Sequence, residues 1–197
     1  MATRQEQSAI TRQSIIDAGF ELFAELGFEA TTISQIAQRA GFSRVTVYQY
    51  FANKPQIILG RLMQIQPEIH RPFEPLFARK VHTEESTYEF LMEMKSLWNR
   101  YGVEFAAIEK AMTSDADIAA QWLETLRKLS LEFPGVALDP ANAQEFTALV
   151  MSLDRNFYFL YGRGHDENED GVLRGLVKQW MTLLGPVSEA AELAGEN

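Results

Sequence analysis

The chain has no cysteine in its 197 residues, which excludes disulfides, thiolate nucleophiles and cysteine-ligated metal, and fits a reducing compartment. It also lacks any run near the roughly 18 uninterrupted apolar residues of a membrane span, and the opening MATRQEQSAITRQ has no apolar signal-peptide core. A cytoplasmic protein with no membrane partner is expected. There is no Walker-A loop, no G-x-G-x-x-G and no nucleophile elbow, so neither an enzyme nor a cofactor is expected. His70, His82 and His165 lie far apart, outside any H-x-x-x-H pattern, which argues against a metal site. The stretch from Asp166 to Gly171 matches half of a calcium loop, but Arg174 and Val177 stand where the later ligands should be. Glu169 and Asp170 read more simply as acids at a helix N-terminus.

Positive charge is scarce as well. Eighteen basic residues face 27 acidic ones, for a net charge of −9, and phosphate binding usually leaves a basic footprint. The imbalance is uneven, however. Residues 1–60 hold five bases (Arg4, Arg12, Arg39, Arg44, Lys54) and five acids, and no acid occurs between Glu29 and Glu68. A local cationic surface on an acidic protein is therefore compatible with the composition.

Apolar residues recur at helical spacing almost throughout, with no convincing period-two strand, so the chain reads as all-α. Helix 1 is expected over about Ser8 to Leu26, with Ile16, Phe20 and Phe23 on one stripe and Gly27 as its stop. Helix 2 follows Thr32, with Gln35 completing a capping box, and closes at Gly41. Helix 3 follows Ser43 and ends near Tyr50. Helix 4 begins after Asn53 with Pro55 in its first turn and runs to about Ile69. The proline-containing stretch HRPFEPLFARKVHT breaks the pattern, and further helices are expected at about 84–101, 103–112, 115–132, 140–163 and 168–185. The expected domains are 1–53 and 54–197, with 54–69 as connector.

The segment FSRVTVYQYFANK, residues 42–54, carries the strongest functional signal. Two short helices joined by a turn with Gly41 match a helix-turn-helix, whose second helix enters the DNA major groove. Val47 and Phe51 face inward with Phe42, leaving Val45, Thr46, Tyr48 and Gln49 on the outward arc and Arg44 at its N-terminal end. Arginine can grip guanine, Gln49 can pair with adenine, and the methyls of Val45 and Thr46 can touch thymine. Tyr48, Tyr50 and Lys54 suit phosphate contacts, joined by Thr32 and Ser34 at the start of helix 2. Tyr48 can also pack its ring while its hydroxyl reaches out.

The run IIDAGFELFAELGFEATTISQIAQRAGFS followed by TVYQYFANK resembles the N-terminal DNA-binding domain of tetracycline-repressor-like (TetR family) transcriptional regulators over about residues 8–60. Gly19 departs from the family's usual alanine, at a cost of about 1 kcal/mol in helix propensity unless close packing needs it. The resemblance implies an N-terminal three-helix helix-turn-helix domain followed by a larger helical ligand-binding and dimerisation domain. It also implies a homodimer on a double-stranded palindromic operator, most often a repressor released by a small-molecule effector.

The family's dimer interface is normally built by the last two helices. Here these carry Phe146, Leu149, Val150, Leu153, Phe157 and Leu160, then Val172, Leu176, Trp180 and Leu183, which are divided between core and interface. Candidate effector-binding residues are Trp98, Tyr101, Phe105, Trp122, Met151 and Tyr158, which suggest an apolar or aromatic ligand. Arg155, beside Asp154, suits either a ligand carboxylate or an acid across the dimer. The alternative reading is a small-molecule-binding protein of this fold that does not bind DNA, for which the net acidity argues.

Overall fold

The computed structural model describes residues 3–113, 115–137 and 139–185, and among these there is no strand. The fold is all-helical, as the periodicity predicts. Two compact units divide the described chain. One runs to Pro67 and takes in Tyr101–Leu123; the other holds Glu68–Arg100 and the described residues from Glu124 onward. The boundary expected at residue 53 lies inside the first unit.

In the first unit, α1 (Arg4–Leu26), α2 (Ile33–Ala40), α3 (Arg44–Tyr50) and the start of α4 (Lys54–His70) form the N-terminal bundle. Helix α1 starts four residues before the expected Ser8, because Thr3 and Glu6 cap each other. Thr3 N donates to Glu6 Oε2 at 2.6 Å, and Glu6 N to Thr3 Oγ1 at 3.2 Å. Ile15, Ile16, Phe20 and Phe23 are buried, meeting Ile36, Val47, Phe51, Ile57 and Ile58 in one core. Gly19 does need its missing side chain: a Cβ there would come within 3.0 Å of Ile57 Cγ2. The propensity cost therefore permits the close approach of α1 to α4.

The second unit begins within α4, past Pro67. The region read as a break contains a short helix, α5 (Phe73–Ala78), which tolerates Pro75 because its N–H would lie in the first turn, with no helical partner. Helix α6 (Glu84–Met112) joins the two helices expected at 84–101 and 103–112. Its interruption falls at Tyr101 (φ −118°, ψ 23°), one residue before the expected Gly102. Next come α7 (Ala116–Glu132), a 3-10 turn at Pro134–Ala137, and α8 (Asn142–Phe157), which widens into a π-helical turn at Tyr158–Gly162; α9 (Glu169–Leu184) follows. Tyr161 in that turn donates to Glu169 Oε1 at 3.0 Å, and Lys95 of α6 pairs with the same oxygen. Burial, reinforced by the Glu169 carboxylate, pushes the Tyr161 phenol up.

An aromatic cluster forms the core of this unit. The Phe146 ring lies 5.2 Å from Phe133, 5.6 Å from Phe77, 5.8 Å from Phe73 and 5.6 Å from Trp180. No helix among the described residues is long and apolar enough to cross a membrane, and among them no three or more His, Cys, Asp or Glu side chains are grouped so as to hold a metal ion.

Candidate functional site

The helix-turn-helix is built by local chemistry. The Thr32 hydroxyl accepts from Gln35 N at 3.3 Å, while Gln35 Oε1 accepts from Thr32 N at 2.8 Å and from its hydroxyl at 2.8 Å. Helix α2 stops at Gly41, which adopts φ 76°, ψ 25°, a left-handed conformation that only glycine enters freely. Phe42 N then donates to Ala37 O at 2.9 Å, closing the turn. Ser43 caps α3 through Thr46 N at 3.0 Å, and Asn53 caps α4 through Gln56 N at 3.0 Å.

Within α3, Val47 is fully buried and Phe51, just beyond its end, is 2 % exposed, while Val45 is 69 % and Tyr48 48 % exposed. Arg44 and Gln49 are exposed with them; Thr46 and Tyr50 are half-buried, and Thr32 and Ser34 are exposed at the start of α2. The arrangement suits base edges and a thymine methyl. The hydroxyls of Thr46 and Ser43 lie 2.9 Å apart, so that of Thr46 is already engaged locally.

Three of the five bases are used within the bundle, Arg12 lying 5.1 Å over the Phe51 ring. Arg39 of α2 is held by Glu21 at 3.1 Å and Glu25 at 2.8 Å, and its hydrogen bond draws the Glu25 carboxyl below its ordinary range. Lys54, expected at a phosphate, is engaged within the bundle. Its ammonium donates to Phe28 O, to Thr31 O at 2.9 Å and to Glu29 O at 3.3 Å, and it sits 4.1 Å over the Phe28 ring. It ties the α1–α2 connection to the start of α4, and burial lowers its pKa. Replacing Lys54 by methionine is expected to destabilise the protein by about 1–2 kcal/mol. The salt dependence of DNA affinity should stay unchanged, whereas Arg44→Ala should reduce its slope by about one. Chemical unfolding and salt-titrated DNA binding check the two halves; a reduced slope for Lys54→Met returns it to a phosphate.

Residues 15–59 match the family of bacterial regulatory proteins, tetR family. The chain carries the TetR-family helix-turn-helix domain. The transcriptional regulator SrpR of Pseudomonas putida is 38 % identical over 65 residues, covering 33 % of this chain and 30 % of that protein. The chain thus spans less than a third of the length of such relatives. Whole-chain similarity lies in the fold. A tetR-family regulator from Streptomyces coelicolor superposes with TM-score 0.66 at 18 % identity, over 99 % of this chain and 87 % of that one. The regulator FadR of Bacillus subtilis, solved in complex with stearoyl-CoA, gives TM-score 0.58 at 17 % identity, over 89 % and 98 %. These relatives are named as transcriptional regulators.

Beyond the TetR-family domain, the expected effector residues are divided. Tyr101, Phe105 and Trp122 belong to the first unit, and Trp98, Met151, Arg155 and Tyr158 to the second. Trp98, Phe105, Trp122 and Tyr158 are buried, and Tyr101 is half-buried. Trp98 and Tyr158 come together at Gly162, where an added Cβ would meet their rings at 3.6 and 3.3 Å. Met151 departs from an interior role, being 48 % exposed, and Arg155 is exposed with it. The reason is helical phase: Phe146, Val150, Leu153 and Phe157 take the inward side of α8, which turns Met151 and Arg155 outward. The Arg155 guanidinium lies 5.7 Å from the Tyr158 ring and 6.0 Å from that of Phe159. Most of the apolar residues assigned to the last two helices, Trp180 among them, are core within one chain.

Proposed function

We propose that the protein is a DNA-binding transcriptional regulator, a homodimeric repressor that leaves a palindromic operator when a small apolar or aromatic molecule binds. The observation that carries the DNA reading is the exposed Arg44, Val45, Tyr48, Gln49 arc of α3, over a buried Val47 and inside a matched TetR-family domain. One such helix makes too few base contacts to be selective, so a dimer with its reading helices about 34–36 Å apart is the form that reads an operator. The outward stripe of Met151, Arg155 and Phe159 on α8 and the π turn supports the last helices as the face where two copies meet. That FadR of Bacillus subtilis is solved with stearoyl-CoA supports a small-molecule effector for this fold. The effector would act by preferring the dimer whose reading helices are wrongly spaced, shifting the population by no more than its differential affinity.

Selection of bound duplexes from a random pool, followed by salt-dependent affinity for the winner, tests the reading. The expected result is an enriched palindrome whose affinity falls steeply with salt. Gln49→Ala should weaken that complex by about 1–3 kcal/mol and relax the sequence preference at one position of each half-site. A second reading, a ligand-binding protein of this fold that no longer binds DNA, is favoured by one observation: Arg39 and Lys54 are both engaged inside the bundle. No enrichment at low salt from a folded dimer, with or without candidate ligands, would select it.

A further inference from the structure

A groove of about 820 Å³ opens in the second unit between the end of α5, the residues that follow it, the turn after α7 and the end of α9. Its walls include Phe77, Phe133, Met181 and Leu184, and three basic side chains, Arg79, Lys80 and His82, join them, with no acidic residue among the described lining groups. That is unusual for this chain, whose net charge is −9. Its smaller clefts carry Glu84, Glu85 and Asp170 in one case and Glu89 and Glu93 in the other. The volume falls in the range of small-molecule sites, about 300–1,000 Å³.

We propose that this groove binds a small aromatic carboxylate, its ring system between Phe77, Phe133 and Met181 and its anionic head at Lys80 and His82. The rings of Phe77 and Phe133 both line the groove, 5.8 Å apart and inclined at 47°, and are backed by Phe146 at 5.6 and 5.2 Å. Met181 lines the same wall, its sulfur accepting from the buried Thr87 hydroxyl at 3.2 Å. The site is held in place before any ligand arrives: Asn142 Nδ2 donates to Gly135 O at 2.7 Å, fixing the turn against the start of α8. His82 lines the groove together with Lys80 and can offer a ring N–H to a carboxylate there. Arg79 already meets Glu89 at 2.9 Å, so the charge available to a ligand is that of exposed Lys80. The assignment stands whether or not the chain binds DNA, and it places a ligand away from Trp98 and Tyr158.

The test is calorimetric titration of the full-length protein with 2-naphthoate and with its neutral isostere naphthalene-2-carboxamide, alongside NMR of the histidine ring resonances. One naphthoate is expected per chain, binding about tenfold more tightly than the carboxamide and shifting the His82 resonances. Lys80→Glu should weaken it by at least about tenfold. Ala78→Trp, at an exposed position on the groove wall, should fill the space and abolish binding while the helical circular dichroism stays intact. No binding at millimolar naphthoate overturns the proposal. So does equal affinity for the carboxamide, or binding that survives either substitution unchanged, which would move the ligand to another part of the molecule.

Discussion

Replacing Phe146 by alanine is expected to lower the unfolding free energy of the second unit by about 3–5 kcal/mol, read as an earlier urea midpoint by far-UV circular dichroism. The side chain is fully buried, and its ring is the shared neighbour of Phe73, Phe77, Phe133 and Trp180, at 5.2–5.8 Å. These neighbours come from α5, the turn after α7 and α9, so no single element can move in to fill the gap. The cavity penalty should then add almost fully to the lost transfer energy. Phe146→Leu keeps most of the volume and should cost less than about 1.5 kcal/mol. A loss below about 1.5 kcal/mol for the alanine variant would show that the cluster collapses around the vacancy. Because Phe77 and Phe133 also wall the proposed aromatic-carboxylate groove, Phe146→Ala should weaken naphthoate even where the protein remains folded.

The helix-turn-helix was legible because its signals are local. Thr32 with Gln35, Gly41, Ser43 and Asn53 each act within about four residues of themselves, and each cap sits where its residue type predicts. The same kind of signal was present at the start of α1, where Thr3 and Glu6 have capping-box spacing. What the sequence could not show is contact across long separations. Lys54 is a basic residue beside a reading helix, and nothing local reveals that three carbonyls between Phe28 and Thr31, 23 to 26 residues earlier, converge on its ammonium. Met151 illustrates a different limit. An apolar residue between Val150 and Leu153 reads as inward until the phase of the helix is known, and α8 commits that phase to Phe146 and Phe157. Likewise Pro72 and Pro75 mark a break in a long helix yet are tolerated at the cap and first turn of a short one. The aromatic-carboxylate groove left no sequence motif at all, since its basic residues and its rings come from separate helices and turns.

Arg61→Ala is expected to cost about 3 kcal/mol, and more than Glu104→Ala, although the two remove the same ion pair. Arg61 of α4 donates through Nε at 3.0 Å and Nη2 at 2.8 Å, both to Glu104 Oε1 on the part of α6 that follows Tyr101. The partners are buried unequally: the Glu104 side chain is 10 % exposed and that of Arg61 29 %. Deleting the arginine strands a carboxylate with little access to water, whereas deleting the carboxylate leaves a guanidinium that can partly rehydrate, for about 1–2 kcal/mol. The double variant Arg61→Met, Glu104→Leu replaces two charges by apolar groups and should regain much of the loss, so the effects will not add. Equal losses for the two single alanine variants would contradict this account. The pair bears on function because α4 follows the reading helix α3 directly and Arg61 is bound on it in a fixed direction, which the apolar pair cannot reproduce. If α4 transmits an effector signal under the regulator reading, the double variant should keep its stability yet respond differently to effector. An unchanged response would leave the pair a purely structural tie between α4 and α6.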